Sequence, residues 1–135
     1  NAKIIEQYME IKNLHFEGHV DGDKKASYLK DAKIIVNTSI HEALPISFIE
    51  ALSYGVLIVS NRNPENLTLK FGVWTGQING DGFDKIDLYV NAIKEIMNDE
   101  DKRLKLSKLG REYVKNVHSV DKFISGLKRM IYAEL

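Results

Sequence analysis

The sequence predicts an α/β fold built on a Rossmann-like parallel sheet, with a helical C-terminal tail. Helical and strand-like patterns alternate over the first 60 residues, and short apolar runs such as residues 56–59 are typical of strands buried on both faces. Apolar residues then recur at helical spacing from residue 84 onward. Alternating helices and strands form parallel sheets. Each helix carries the chain back to the end of the sheet where the preceding strand began, so the next strand runs in the same direction. We expect one domain over residues 1–135, with an alternating part over 1–82 and helices over 83–135.

The first elements follow from periodicity and turn residues. Residues 14–20 alternate with period two and predict a strand, whereas residues 33–37 predict a compact strand buried on both faces. Two helices are expected, over 1–12 and over 24–32. The turn at 21–23 supplies the N-cap of the second helix.

The next helix and strand are marked by proline and glycine. Pro45 suits the first turn of a helix that runs to Tyr54, and Gly55 suits its C-terminal stop. A buried strand follows over 56–60, and residues 61–82 predict a loop that holds a short strand at 73–75.

Three amphipathic helices are expected in the remainder of the chain. The first begins near Asp84, the second is capped by Asp99 and the third is capped by Ser119.

Composition excludes several functional classes. The chain has 19 basic and 19 acidic residues among 135, so it is not a basic nucleic-acid binder. It has no cysteine, which excludes disulfides, thiolate metal sites and a cysteine nucleophile and favours an intracellular setting. No apolar run is long enough to cross a bilayer, and the opening Asn-Ala-Lys suggests a segment of a longer protein.

The zero net charge conceals an asymmetry. Residues 102–135 carry nine Lys or Arg against three acidic residues, which leaves ten basic and sixteen acidic residues in the first 101. A basic helical tail of this kind suits the surface of an anionic membrane, and solvated helix faces are the simpler explanation.

The most informative stretch is residues 37–51, which joins a buried strand to a helix. Ligands of open α/β sheets bind at such junctions, and a helix N-terminus offers free amides and positive partial charge to a phosphate. Glu42 lies in the preceding loop, and Glu50 shares a stripe with Ser47 and Tyr54 on an otherwise apolar helix. A carboxylate on so apolar a helix is expected to face a binding site or a partner molecule, because burying it alone is costly. The alternative is that both glutamates are simply exposed to solvent, as most charged residues are.

The two glutamates and their surroundings carry a family resemblance. Residues 39–60, with Glu42, Glu50-Ala51, Gly55 and an apolar strand in one register, resemble the signature of retaining GT-B glycosyltransferases of family four (group one). Residues 13–20 and 31–36 resemble the family's preceding strands. The resemblance implies the C-terminal, nucleotide-sugar-binding half of a GT-B fold, truncated at its N-terminus.

The resemblance implies a role for each matched residue. Glu42 would contact hydroxyls of the donor sugar as the catalytic-site carboxylate, and Glu50 would bind the nucleotide ribose. Backbone amides would hold the distal phosphate or the sugar, from Leu44, Ile46 and Ser47. The intervening proline has no N–H to donate.

Further positions match the family at the edges of the site. Ser39 would lie at the end of the strand, and the nucleobase would lie near Gly18, His19 and Val20. The family's Gly-Gly after the next strand is replaced by residues 61–65. Its diphosphate-neutralising Gly-Arg turn and Lys, and its acceptor domain, would precede Asn1.

The resemblance implies a hexosyltransferase of cell-envelope polysaccharide biosynthesis. It would move a sugar from a nucleotide diphosphate sugar to the hydroxyl of an acceptor glycan or lipid-linked acceptor, with retained anomeric configuration. No metal cofactor and no nucleic acid are expected. We expect a cytoplasmic protein, peripheral at the inner face of the membrane, whose isolated fragment is inactive. A non-catalytic α/β nucleotide-binding or interaction module is the alternative, and a GT-B sugar-nucleotide epimerase is a third.

Weaker signals add little. The four histidines lack metal-ligand spacing, and only His41, beside Glu42, is kept as a cleft residue. Trp74 is expected in the core or at a rim rather than as a stacking platform for bases.

Overall fold

The computed structural model describes residues 2–40, 44–78 and 85–133, without the side chains of residues 2–4 and 133. His41 and Glu42 therefore lie outside the described residues, as does Asp84. The chain forms two compact units, Asn1–Lys30 and Asp31–Leu135.

The first unit is built from helices. Helix α1 covers Ala2–Tyr8, so the helix expected over 1–12 is shorter than predicted, and turns follow it. Helix α2 covers Gly22–Asp31 and begins within the expected turn at 21–23, two residues before the expected start; the Asp21 carbonyl accepts a hydrogen bond from the Lys25 amide there.

The expected strand over 14–20 is wrong. This segment is irregular and almost fully exposed, because no strand among the described residues supplies the backbone partners that a strand requires. A surface contact is present instead, in which Lys24 Nζ donates to Glu17 Oε2 at 2.7 Å. This hydrogen bond is the main cause of a lowered pKa of the Glu17 carboxyl.

The second unit alternates strands and helices and then continues as helices. Its elements are β1 (Ile34–Asn37), α3 (Ile46–Ser53), β2 (Leu57–Ser60), a 3₁₀ turn (Pro64–Asn66), α4 (Leu67–Lys70), β3 (Gly72–Trp74), α5 (Ile86–Asn98), α6 (Glu100–Val117) and α7 (Val120–Ala133).

The three strands form a parallel sheet in the order β1-β2-β3. Ile34 pairs with Leu57 at one end of the sheet, and Asn37 pairs with Ser60 at the other. On the second side of β2, Ser60 is aligned with Trp74. The predicted α/β class and parallel sheet are confirmed.

The core lies on both faces of β2. Ile58 packs with Phe48 and Leu52 of α3 on one face, where Leu67 and Phe71 complete the cluster. Leu57 and Val59 face the other way and pack against Ala92 and Ile96 of α5. Successive side chains of a strand point to opposite faces, so β2 needs apolar residues at every position. Each of its large side chains contributes about 1.5–3 kcal/mol by burial.

Two expectations about the sheet and its loops need correction. β1 is not buried on both faces, since Val36 is 46% exposed; the strand has only β2 beside it within the described sheet. Residues 61–82 are not simply a loop, because they contain the 3₁₀ turn and α4 before β3. Leu67 and Thr68 of α4 are buried, so tertiary packing stabilises a helix too short to form alone.

The predicted caps of the last helices are confirmed. Asp99 Oδ1 accepts from the Lys102 amide at 2.9 Å at the start of α6. Ser119 Oγ accepts from the Lys122 amide at 3.3 Å at the start of α7. Each bond satisfies an amide that has no partner within its own helix.

Two glycine-to-alanine substitutions should have opposite effects. Gly55 follows α3 with φ +77°, and a Cβ there would meet the side chains of Arg111 and Ser107. We expect Gly55→Ala to lower the free energy of unfolding by about 1–3 kcal/mol. Gly126 lies in α7 with no atom within 4 Å of a built Cβ, so Gly126→Ala should raise that free energy by about 0.5–1 kcal/mol.

Urea unfolding followed by circular dichroism measures both changes. Equal midpoints for the Gly55→Ala protein and the wild type would contradict the left-handed conformation of the α3 terminus.

Candidate functional site

The candidate site lies at the carboxyl edge of the parallel sheet. The last residues of β1, β2 and β3 are aligned there as Asn37, Ser60 and Trp74. The Thr75 amide donates to the Ser60 carbonyl at 3.0 Å and extends this pairing beyond β3. Neighbouring strands are about 4.8 Å apart, so the segments leaving β1 and β2 lie side by side.

The segment that leaves β1 begins with a side-chain turn. Asn37 Oδ1 accepts from the Ser39 amide at 2.9 Å, and Ser39 is half-buried two residues after the end of β1. Asn and Asp side chains form such turns because their oxygen reaches an amide two residues ahead. After the undescribed residues 41–43, the half-buried side chain of Leu44 packs against the core cluster.

The first turn of α3 lies at this edge, and its first amides have no acceptor within the helix itself. Pro45 is the N-cap residue, with extended backbone angles and no side-chain cap. Its carbonyl accepts from the Phe48 amide at 2.9 Å, so the first-turn amides ahead of that bond belong to Ile46 and Ser47. The Ile46 side chain is 77% exposed, whereas Phe48 is fully buried. The helix is thus held by its core face; at its N-terminus Pro45 is buried, Ile46 is exposed and Ser47 is half-buried.

Glu50 lies one turn further along α3. Its side chain is half-buried. It is therefore neither fully exposed to solvent, as the plainer alternative expected, nor fully buried. Its backbone carbonyl accepts from Ser53 Oγ at 2.6 Å. Ser47, on the same stripe, is also half-buried, so the predicted polar stripe is present on a helix whose opposite face forms the core.

The C-terminus of α3 is anchored to α6. Arg111 Nη1 donates to the Tyr54 carbonyl at 3.1 Å, and a cation at this end also complements the helix dipole. Gly110 lies close to Leu52, where a Cβ would come within 3.0 Å of Leu52 Cδ2. The hydrogen bond and this close approach join the C-terminal part of α3 to α6.

The loop that leaves β2 is closed by side-chain hydrogen bonds. Ser60 Oγ accepts from the Arg62 amide at 3.0 Å, and Thr68 Oγ1 donates to the Arg62 carbonyl at 2.7 Å. Asn63 Oδ1 accepts from the Leu69 amide at 3.1 Å. Glu65 and Asn66 have positive φ, an uncommon conformation for residues other than glycine. Sequence reasoning missed this ordered loop; the Asn63-Pro64 dipeptide, which is typical of turns, is the signal that could have found it.

Several predicted site residues do not belong to the described residues of the second unit. Glu42 and His41 lie outside the described residues. Gly18, His19 and Val20 belong to the first unit, where Gly18 has φ +66° and Val20 is half-buried. Their proximity to the nucleobase stays a prediction.

Two searches of the described residues were negative. In residues 2–40, 44–78 and 85–133, no group of three or more His, Asp or Glu side chains is placed to hold a metal ion. No helix within the same ranges is long and apolar enough to cross a membrane.

The parallel sheet and the strand–loop–helix junction at its carboxyl edge agree with a family assignment. A family model for glycosyl transferases group 1 matches residues 2–113, so the chain belongs to this family. Glycosyl transfer from a nucleotide-sugar donor to an acceptor is the general activity that this membership implies. No curated protein and no solved structure matches the chain.

Proposed function

We propose that this chain is the donor-binding part of a retaining glycosyltransferase of family four. The reaction breaks the bond between the sugar C1 and the diphosphate oxygen and joins C1 to an acceptor hydroxyl oxygen, whose proton leaves. The observation that carries the proposal is the free first turn of α3, at the carboxyl edge of the sheet and one turn from Glu50. Hexosyl transfer to an envelope polysaccharide or a lipid-linked acceptor belongs to the same proposal.

The first turn of α3 would stabilise the leaving diphosphate. The amides of Ile46 and Ser47, with that of Leu44 before them, would donate to the distal phosphate or to the sugar. The positive end of the helix dipole favours the negative charge that grows on the diphosphate as the bond breaks. Because amides and a dipole supply this stabilisation, we propose that no metal cofactor is required.

The two carboxylates would bind neutral hydroxyls. Glu50, half-buried on α3, would accept hydrogen bonds from the nucleotide ribose. We assign Glu42 to the donor-sugar hydroxyls from its place seven residues before Glu50, and Ser39 to the rim of the site. Gly18, His19 and Val20 would contribute to binding the nucleobase.

Glu50→Gln tests the donor site. We expect at least a tenfold loss of affinity for nucleoside diphosphates, because the amide retains the side chain's size but loses the charged acceptor, a change worth about 1.5–3 kcal/mol. Isothermal titration of the chain with a panel of nucleoside diphosphates measures the change.

Glu112→Gln is the matched control. Glu112 is exposed on α6, so its substitution should leave nucleotide affinity unchanged. Equal affinity of the wild type and the Glu50→Gln variant would remove Glu50 from the site, and loss of affinity in both variants would indicate a general charge effect.

The stereochemistry of transfer tests the retaining mechanism. With a nucleotide sugar of known anomeric configuration and the intact enzyme, we expect the product to keep that configuration. Proton NMR of the newly formed glycoside reads the outcome, and an inverted product would contradict the assignment.

We also propose that α7 brings the protein to an anionic membrane surface. The residues of α7 from Val120 to Tyr132 are all exposed except Gly126, which is half-buried. Phe123 and Met130 lie on its apolar stripe, and Lys122, Lys128 and Arg129 accompany them. An amphipathic helix with a basic face binds in the headgroup region, at about 1 kcal/mol per basic residue near an anionic surface. The basic residues beside this apolar face therefore favour an anionic membrane surface as its binding partner.

Vesicle sedimentation tests the membrane contact. We expect binding to vesicles that contain phosphatidylserine, reduced by salt and by the double substitution Phe123→Ser, Met130→Ser. Leu69→Ser, at an exposed position of α4, is the control and should not change binding. Binding that is absent, or equal on neutral vesicles and at high salt, would refute the proposal.

A further inference from the structure

Two consecutive residues of the loop that leaves β2 have left-handed backbone angles. Glu65 has φ 49° and ψ 23°, and Asn66 has φ 61° and ψ 19°. Neither is glycine, the residue that adopts these angles without steric cost, so the surrounding structure must hold them. Such conformations persist where neighbouring contacts over-determine them, and they cluster at functional sites. The contacts that hold the Glu65–Asn66 turn therefore bear on function.

Local hydrogen bonds hold the Asn66 half of this turn. The Asn66 amide donates to the Asn63 carbonyl at 3.3 Å, and Asn63 Nδ2 donates to Asn66 Oδ1 at 3.0 Å. Asparagine also tolerates left-handed angles better than most residues, because its short polar side chain bonds to nearby groups. Glutamate lacks this advantage, so Glu65 is the residue that needs support from elsewhere in the fold.

A contact from α6 reaches Glu65. The Tyr113 hydroxyl donates to Glu65 Oε2 at 3.4 Å, a long hydrogen bond between residues 48 apart in the chain. Burial of the phenol, together with the Glu65 carboxylate beside it, raises the pKa of Tyr113, so the hydroxyl is protonated and able to donate at neutral pH. Tyr113 is half-buried, whereas Glu65 is exposed. The bond therefore joins a surface turn to the helix that also anchors the C-terminus of α3.

The Tyr113 ring packs against the core beneath α3. Its centroid lies 5.2 Å from that of Phe71, and Lys70 Nζ lies 5.9 Å from it. The ring packs against the cluster that contains both Phe71 and Phe48 of α3. Because Phe48 directly follows Ser47, this cluster lies under the first turn of the proposed donor helix. Tyr113 thus contacts the core with its ring and the loop with its hydroxyl.

The loop that carries the turn starts beside the donor junction. Ser60, the last residue of β2, is aligned with Asn37, from which the chain continues towards α3. Ser60 Oγ accepts from the Arg62 amide, and Thr68 Oγ1 donates to the Arg62 carbonyl. These bonds make the loop short and cross-linked, so its shape depends on the conformation of the turn at its far end.

We propose that Tyr113 is a positioning residue of the donor site, which holds the Glu65–Asn66 turn, and with it the loop beside the β1–α3 junction, in the shape that binds the donor. This inference rests on the proposed function, because it concerns the affinity of the same nucleotide site. Tyr113 acts through Glu65 and the loop, without contact to the donor. Side chains of this kind keep a binding site within its productive geometry.

Removal of the hydroxyl alone tests this role. Tyr113→Phe keeps the ring and its packing, so circular dichroism should show an unchanged fold. The affinity for nucleoside diphosphates, measured by isothermal titration, should fall about two- to fivefold, the effect of one weak hydrogen bond. Tyr8→Phe, which removes an exposed hydroxyl of α1, is the matched control and should bind as the wild type does.

Two substitutions of Glu65 separate the turn from the carboxylate. Glu65→Ala and Glu65→Gly both remove the carboxylate, but only glycine adopts left-handed angles without steric cost. We expect Glu65→Ala to bind nucleotide as weakly as Tyr113→Phe, and Glu65→Gly to bind as the wild type does. The double variant Tyr113→Phe, Glu65→Gly should regain wild-type affinity, a rescue that a role of Tyr113 in core packing alone would not give.

Two results would overturn the inference: equal affinity of the wild type and the Tyr113→Phe variant, or equal losses in Glu65→Gly and Glu65→Ala. The Glu50→Gln variant separates this failure from that of the proposed function. Nucleotide binding that depends on Glu50 but not on Tyr113 refutes only the positioning role. If the wild type binds no nucleoside diphosphate, the donor site and the positioning role both fail.

Discussion

The burial of β2 on both faces is the constraint on which the second unit depends. All four of its residues are fully buried, and both neighbouring strands pair with it. Ile58 joins the cluster formed with α3, whereas Leu57 and Val59 join the cluster formed with α5. Displacing β2 would expose both clusters at once. The position of α3, which carries the proposed donor site, and that of the loop after Ser60 therefore depend on the packing of one four-residue strand.

Helix α3 uses its two ends differently. Its C-terminus is held by the Arg111 guanidinium on the Tyr54 carbonyl and by the close approach of Gly110 to Leu52. Its N-terminus has no side-chain cap, which is unfavourable for a helix in isolation because its first amides lack partners. Tertiary anchoring at one end thus offsets the lack of a Pro45 side-chain cap at the other. The same arrangement explains how an apolar, well-packed helix presents the polar stripe of Ser47 and Glu50.

The element types and most boundaries were predictable because they rest on local signals. Pro45, Gly55, Asp99 and Ser119 act within one turn of their own positions, so sequence reasoning placed the helix ends beside them correctly. The end of the first helix, expected at residue 12 and found at Tyr8, has no such local signal. The expected strand over 14–20 was wrong. Alternating apolar and polar residues show only that a segment could form a strand, and a strand also needs a neighbouring strand to accept and donate its backbone hydrogen bonds. Helix α4 was missed for the opposite reason, since four residues give no readable period. The positions of β1 and α3 on either side of the junction were predictable from local signals, whereas the hydrogen bonds that close the loop after β2 were not, because they join residues six apart in the chain.

The order of amino acids alone determined the α/β class, the location of the β1–α3 junction and the asymmetry between an acidic first part and a basic helical tail. These properties depend on spacing and composition, which need no knowledge of distant contacts. Only the tertiary structure decided which faces are buried. It left Val36 and Ile46 exposed and Glu50 half-buried. It also brought the Trp74 indole N–H within hydrogen-bond distance of the Asn61 carbonyl. The physical reason is that burial and hydrogen-bond satisfaction depend on residues far apart in sequence, and periodicity within one segment carries no information about them.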